Sequence, residues 1–200
     1  MKPKYLLLLI VFLPLALGVW FYYASKSPVP QTPGETQTNG TPTNTPSDLP
    51  NVYRDSQNGF VVQKPEGFSV TPTDQPDTKI EFSIPKKSVI QSISEVTFAV
   101  RVKTGQCEQP TGSKKTTRNN IEYTVVESGE AAAGNQYFEK TYGTTHNSVC
   151  YTLAFFMHTT TPENYANSEV EAQNFRAQHD TQVRRIAQLF EDFVSSFRFE

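Results

Sequence analysis

Apolar and polar residues alternate strictly in several stretches of the C-terminal three quarters of the chain. In TKIEFSIP, Ile80, Phe82 and Ile84 fall on one side. In VTFAVRVK, Val96, Phe98, Val100 and Val102 share a side, with Thr97, Arg101 and Lys103 opposite. Successive side chains of a strand point to opposite faces, so period two predicts strands buried on one face. Ile121, Tyr123 and Val125 repeat the pattern, whereas VCYTLAFFMH from Val149 is apolar on both sides, as in a central strand. Turn chemistry separates these runs at Asn58-Gly59, Pro65-Glu66-Gly67, Gly105, Gly112, Asn119-Asn120, Gly134 and Gly143. Connections this short favour antiparallel hairpins.

The period then changes. In TQVRRIAQLFEDFVSSFRF, Val183, Ile186, Phe190, Phe193, Val194 and Phe197 recur at helical spacing, with Arg184, Arg185, Glu191 and Asp192 on the other side. This predicts an amphipathic helix capped by Asp180 or Thr181, its aromatic stripe packed on the one-sided sheet. Thr161 before Pro162 and Glu163 predicts a further turn of helix. Residues 166 to 179 carry no clear period. The expected fold class for residues 52–200 is α+β, mainly an antiparallel sheet covered by a C-terminal amphipathic helix.

The N-terminal quarter follows other rules. Residues 5–24, YLLLLIVFLPLALGVWFYYA, carry no charge and match the ~20 residues that cross a hydrocarbon core as a helix. Pro14 is tolerated in such a helix. Lys2 and Lys4 precede it and keep residues 1–4 in the cytoplasm by the positive-inside rule, so everything after Ala24 is expected outside the membrane. Trp20, Tyr22 and Tyr23 suit the outer headgroup layer. A cleaved signal peptide is the rival reading, but bulky residues stand where small ones are needed for cleavage. No cysteine follows the run to carry a lipid. Residues 25–50 repeat Pro and Thr and cannot bury enough apolar surface to fold, so a disordered spacer is expected, read as a stalk. Asn39-Gly40-Thr41 matches a glycosylation acceptor, a pattern common by chance.

Charge narrows the partners. Eighteen Lys and Arg against twenty Asp and Glu give a net charge of -2, so no overall field draws this chain to nucleic acid. Its expected partners are the membrane, through the N-terminal helix, and an unidentified envelope protein; the exported domain is expected to be a monomer. Cys107 and Cys150 are an even pair in an exported domain, which invites a disulfide. Two buried thiols, or a metal pair with His146 and His158, are the alternatives, although no CxxC or HExxH spacing is present.

One constellation points to an enzyme. Ser83-Ile84-Pro85-Lys86 reads S-x-x-K, Lys103-Thr104-Gly105 reads K-T-G, and Tyr165-Ala166-Asn167 reads Y-x-N, as in penicillin-binding enzymes that acylate a serine. That chemistry needs a helix to bring the lysine beside the serine, and Pro85 interrupts the motif. The order of the motifs also differs. The acids Glu81, Glu95 and Glu122 fall on polar sides of strands and are expected in solvent. No catalytic, cofactor-binding or metal-binding residues are therefore assigned, and an envelope serine hydrolase stands as the disfavoured alternative.

Tyr53, Gly59-Phe60, Pro65 and Gly67-Phe68 resemble the entrance hairpin of PsbP-like domains, and the final FVSSFRF resembles their closing helix. The resemblance implies an antiparallel sheet covered by helices, as found in accessory, non-catalytic proteins of the thylakoid lumen and in bacterial exported proteins. The expected function is that of a single-pass, membrane-anchored extracytoplasmic accessory or binding domain. A small-ligand receptor, with a pocket between sheet and helix, is a further alternative.

Overall fold

A computed structural model describes residues 51–200; the expected anchor and spacer lie outside the described residues. The elements in chain order are β1 (Val52–Asp55), β2 (Phe60–Gln63), β3 (Ser69–Thr71), β4 (Thr78–Ser83), β5 (Ile93–Thr104), β6 (Lys114–Arg118), β7 (Ile121–Ala132), β8 (Asn135–His146), β9 (Val149–Thr160), α1 (Glu169–Ser196) and β10 (Arg198–Phe199). A seven-stranded antiparallel sheet runs β3-β4-β5-β9-β8-β7-β6, and β1-β2-β10 form a second, three-stranded sheet. The α+β class expected from the sequence is the class observed. Among the described residues no helix is long and apolar enough to cross a membrane.

Three two-residue turns build the meander from β6 to β9. Asn119-Asn120, Ala133-Gly134 and Asn147-Ser148 each place both central residues at positive φ. That is the backbone of turns whose twist matches the right-handed twist of the flanking strands. Gly134 and the Asn pair were legible as turns; Gly143 is not one. It lies inside β8, opposite Thr124 and Thr152, where the absent side chain leaves room for Cys107.

Alternation along β4, β5 and β9 puts Phe82, Phe98, Val100, Leu153 and Phe155 on one face, each at most 1% exposed. Helix α1 covers that face. Phe190 lies 5.2 Å from both Phe98 and Phe155, and Phe193 lies 5.9 Å from Phe82 in an edge-on contact. Burying each such ring is worth roughly 2–3 kcal/mol. The small sheet closes one end of this core, with Phe60 stacked 5.7 Å from Phe197. Its first hairpin is the one expected from Tyr53 and Asn58-Gly59. Asp55 holds the turn by accepting hydrogen bonds from the Asn58 backbone at 3.0 Å and from its side chain at 2.7 Å.

The helix departs from expectation at both ends. It starts at Glu169, not near Thr181, and its N-cap is Ser168, whose Oγ accepts from Glu171 N at 3.2 Å. The Glu171 carboxylate in turn accepts from Asn167 N at 2.8 Å, so the residues before the helix and its first turn brace each other. At the other end Phe197 is extended, and Arg198–Phe199 pair with Phe60 and Val61 as β10. The closing segment is thus helix followed by strand. Pro162–Tyr165 form the short helical turn expected there.

Candidate functional site

On the core-facing side of the sheet α1 packs against β4, β5 and β9. Among the described residues the opposite side carries no helix, and registers across it define rows of neighbouring side chains. Arg101 on β5 sits beside Thr152 on β9, then Gly143 on β8 and Thr124 on β7. The next row is Ala99, Ala154, Thr141 and Val126, and the one after is Thr97, Phe156, Glu139 and Ser128. Small residues in the middle and long ones around them make a trough. It opens as a cavity of ≈ 370 Å³ lined by Arg101, Lys103, Glu139, Thr141 and Thr152 and walled by the loop around Cys107.

That loop is fixed by a disulfide between Cys107 and Cys150, with Cα atoms 4.8 Å apart. Thr145 Oγ1 accepts from Cys107 N at 3.0 Å, and Gly105, at φ 108°, donates from its amide to Ser148 O at 2.8 Å. The disulfide expected from the sequence is therefore the pairing observed, and the alternatives of free thiols and of a cysteine-containing metal site fall. His146 and His158 are not brought together either. His146 stacks on Phe199 at 4.1 Å; His158 stacks on Tyr137 at 4.5 Å and meets Asn135 Oδ1 through Nε2 at 2.9 Å. Among the described residues no cluster of His, Cys, Asp and Glu could hold a metal ion.

Arg101 gives the trough its chemical character. Its Nη1 lies 3.9 Å from Glu139 Oε1, while its Nε is buried with no hydrogen-bond partner among the described residues. That buried donor is an uncompensated cost, while the side chain as a whole is 41% exposed, so the open part of the guanidinium is what an incoming acceptor meets. Glu81, expected in solvent, is half-buried on this face. Burial, reinforced by Glu95, raises its carboxyl pKa against the opposing pull of Arg101. Hydroxyls of Thr124, Ser128, Thr141 and Thr152 supply further hydrogen-bonding groups. The arrangement can hold an anionic or hydroxyl-bearing group.

The serine motifs do not assemble. Ser83 ends β4, and its Oγ lies 2.6 Å from Thr71 Oγ1, while Lys86 is in a separate 3-10 turn. Ser83 pairs with Thr97, so Lys103 lies six residues further along β5, about 20 Å away at strand rise. Tyr165 lies at the opposite end of the sheet from Lys103, its hydroxyl 2.9 Å from Thr160 Oγ1.

Two side-chain groups were missed in the sequence. Ser92 Oγ lies 2.9 Å from His179 Nδ1, joining the helix to the chain entering β5. Ser92 is only 4% exposed, so no substrate reaches it, and burial lowers the His179 pKa. His179 falls in the stretch 166–179 without clear period, and Ser92 lies between two predicted strands. The second group overturns the placing of Glu191 on the outer side of the helix. Its carboxylate accepts from Tyr142 at 2.8 Å and Lys140 at 2.9 Å, and Lys140 also pairs with Glu127 at 2.9 Å. Burial opposes the Glu191 charge, but the hydrogen bonds from Lys140 and Tyr142 outweigh it and lower the pKa.

Between the β7–β8 hairpin and α1 an apolar crevice of ≈ 440 Å³ remains, reaching Phe138, Phe155, Met157, Val183 and Ala187. It lies between sheet and helix, the place expected for the pocket of a small-ligand receptor.

No family model matches the chain, and no curated protein matches it. It is similar to a crystal structure from Bacteroides thetaiotaomicron with a TM-score of 0.47 and 9% identity, over 75% of this chain and 48% of that one. It is also similar to LpqN, described as involved in cell envelope biogenesis of Mycobacterium tuberculosis. There the TM-score is 0.33 and the identity 8%, over 58% of this chain and 78% of that one. The chain spans about half the length of the first of these, as the 48% coverage states. Neither is described as PsbP-like, and similarity this low assigns no family and no activity.

Proposed function

We propose that the chain is a single-pass membrane protein, its N-terminus cytoplasmic, whose domain 52–200 works outside the membrane as a binding or accessory module. The observation that carries this reading is the disulfide-clamped trough. A cross-link of this kind belongs to an oxidising compartment, and it holds a loop against the sheet face opposite α1. The ligand favoured there is one that brings an acidic group to Arg101 and hydrogen-bonding groups to the threonine hydroxyls.

Protease added to intact cells is expected to release a fragment that begins between residues 25 and 50 and carries the cross-linked pair on non-reducing peptide mapping. Complete protection of the chain, or two freely alkylated thiols, overturns the location. An envelope serine hydrolase is the competing class. A serine-directed acylating probe that labels Ser83 would establish it over the binding module. The crevice beside α1 supports a second reading, a receptor for a small apolar molecule; native mass spectrometry of the purified chain would show that molecule as an added mass.

A further inference from the structure

Strand β7 is longer than its outer neighbour. Pairing with β6 ends at Lys114 opposite Val125, while β7 continues to Ala132. The outer edge of Val126–Ala132 has no strand partner among the described residues. The Ala133-Gly134 turn makes Ala132 and Asn135 the closing pair of the β7–β8 hairpin, and the ladder alternates from there. Ala132, Glu130, Ser128 and Val126 therefore spend their backbone groups on β8. Glu127, Gly129 and Ala131 each direct an N–H and a C=O outward.

Proteins usually blunt such an edge with charged side chains, above all Lys, with Pro, a bulge or a covering loop; the charges here are Glu127 and Glu130, which repel a copy of themselves and admit a basic strand. VESGEAA has no Lys or Pro, and residues 127 to 134 are exposed. The edge also lies between two cavities. On the helix side Gly129 and Ala131 are small, so the apolar crevice of ≈ 440 Å³ reaches the strand edge. On the other side a cleft of ≈ 370 Å³ is lined by Ser128, Glu130, Tyr137, Glu139 and Phe156. A strand added to the edge would send alternate side chains into these two places.

Charge selects the occupant. Glu127 and Glu130 lie on the edge itself and Glu139 beside it; Lys140 is shared by Glu127 and Glu191, Arg101 lies 3.9 Å from Glu139, and among the described residues Glu130 has no ion pair. A second copy would bring the same acids to one seam. Residues 25–50 offer Lys26 as their one basic residue and interrupt any ladder with Pro28, Pro30, Pro33, Pro42, Pro46 and Pro50, which lack the donor. We propose that the β7 edge, Val126–Ala132, captures an extended segment of a partner protein by strand addition. Apolar residues of that segment enter the crevice, and alternate Lys or Arg residues face Glu130, Glu139 and the ring of Tyr137. Backbone pairing supplies affinity and the two cavities supply sequence preference.

The test uses the full-length chain in detergent and a short synthetic peptide alternating Val and Lys. Hydrogen exchange is expected to slow at Glu127, Gly129 and Ala131 when the peptide is added. Ala131→Pro removes one outward donor at a site where edge strands accept proline. It should leave the thermal midpoint in place and weaken the peptide by about tenfold or more, as expected for the loss of backbone pairing. On the unaltered protein, methylating alternate peptide amides should abolish binding, and replacing Lys by Glu should do the same. Equal binding of the methylated or Glu-containing peptide, protection elsewhere, no protection at millimolar peptide, or an Ala131→Pro protein that binds normally overturns the proposal. So does a peptide-free dimer that Ala131→Pro dissolves, which would assign the edge to a second copy.

Discussion

The two faces of the seven-stranded sheet are built from the same strands and differ in almost everything else. On β5 and β9 the odd positions of one and the matching positions of the other decide the contrast. Phe98, Val100, Leu153 and Phe155 face α1, while Ala99, Arg101, Thr152 and Ala154 face away. The covered face consists of large rings in mutual contact, so its residues are constrained by each other. The bare face has small residues at its centre, hydroxyls around them, and charged groups whose partners are distant or absent. A surface that stability does not specify closely is one that recognition can shape, and this asymmetry is why the trough, not the core crevice, carries the main functional reading.

The comparison can be broken most forcefully at Phe190. It is 1% exposed and touches Phe98, Phe155 and Tyr142. Phe190→Asp places an unpaired carboxylate in that cluster and should cost more than about 4 kcal/mol, leaving the domain largely unfolded at growth temperature. A cooperative, near-normal thermal transition in this variant would show that α1 is not core. The disulfide comes next, and it belongs to the bare face. It links residues 43 apart in sequence, for which chain entropy gives a stabilisation of about 4 kcal/mol. Cys107→Ser should lower the thermal midpoint by roughly 10 °C or more, since each kcal/mol moves a domain of this size by about 2–8 °C. A shift of a degree or two would mean that the loop is held by its hydrogen bonds alone.

What the sequence revealed and what it hid follow the same division. Strands β4, β5 and β9 were legible because one-sided burial forces alternation, and the second half of α1 because its stripe packs on that face. β8 was hidden because Lys140 occupies a core-side position, where an apolar residue is expected, and only its pairing with Glu191 and Glu127 makes that possible. The first half of α1 was hidden because, before Ile186, only Ala172 is buried; its one local signal was the Ser168 to Glu171 spacing. The cysteine pair could be anticipated from count and compartment. The trough could not, since it exists through register: Ala99, Ala154 and Gly143 are unremarkable apart and form a depression only when three strands align them.

A smaller effect is expected at the polar seam between β8 and α1. Glu191→Gln removes the charge that Lys140 and Tyr142 address, in a group whose side chain is 27% exposed, and should cost about 1–2 kcal/mol after allowance for solvent. The carboxyl is held below its ordinary value of 4.5. Its contribution is thus complete above that pH and is lost as pH falls through the folded-state value, where protonation releases Lys140 and Tyr142. His179, lowered by burial, adds a loss of the same sign starting from its ordinary value of 6.5. Chemical denaturation repeated from pH 7 down to about pH 3 should show stability falling in the parent and a shallower final fall in Glu191→Gln. Parallel curves would mean that the cluster is not coupled to folding.

The smallest expected effect is the one that isolates the bare face. Arg101 lines the trough as Phe98 lines the core, yet its ion pair with Glu139 spans 3.9 Å between side chains 41% and 46% exposed. Such a pair is worth about 0–1 kcal/mol, and the buried Nε without a partner works against it. Arg101→Met keeps an unbranched stem on the face shared with Ala99 and Ala154 and removes both the ion pair and the unpaired donor, so stability should change by no more than about 0.5 kcal/mol in either direction. The chemistry of the trough should change nonetheless. Arg101 is the group that opposes the rise of the Glu81 pKa, so Glu81 should titrate at higher pH in the variant, followed by its carboxyl carbon resonance. A loss of stability matching that of Glu191→Gln would mean that Arg101 is part of what holds the sheet together and that the two faces differ less than their residues suggest. An unchanged fold with a displaced Glu81 titration would leave the guanidinium with an electrostatic role in the trough and no structural one.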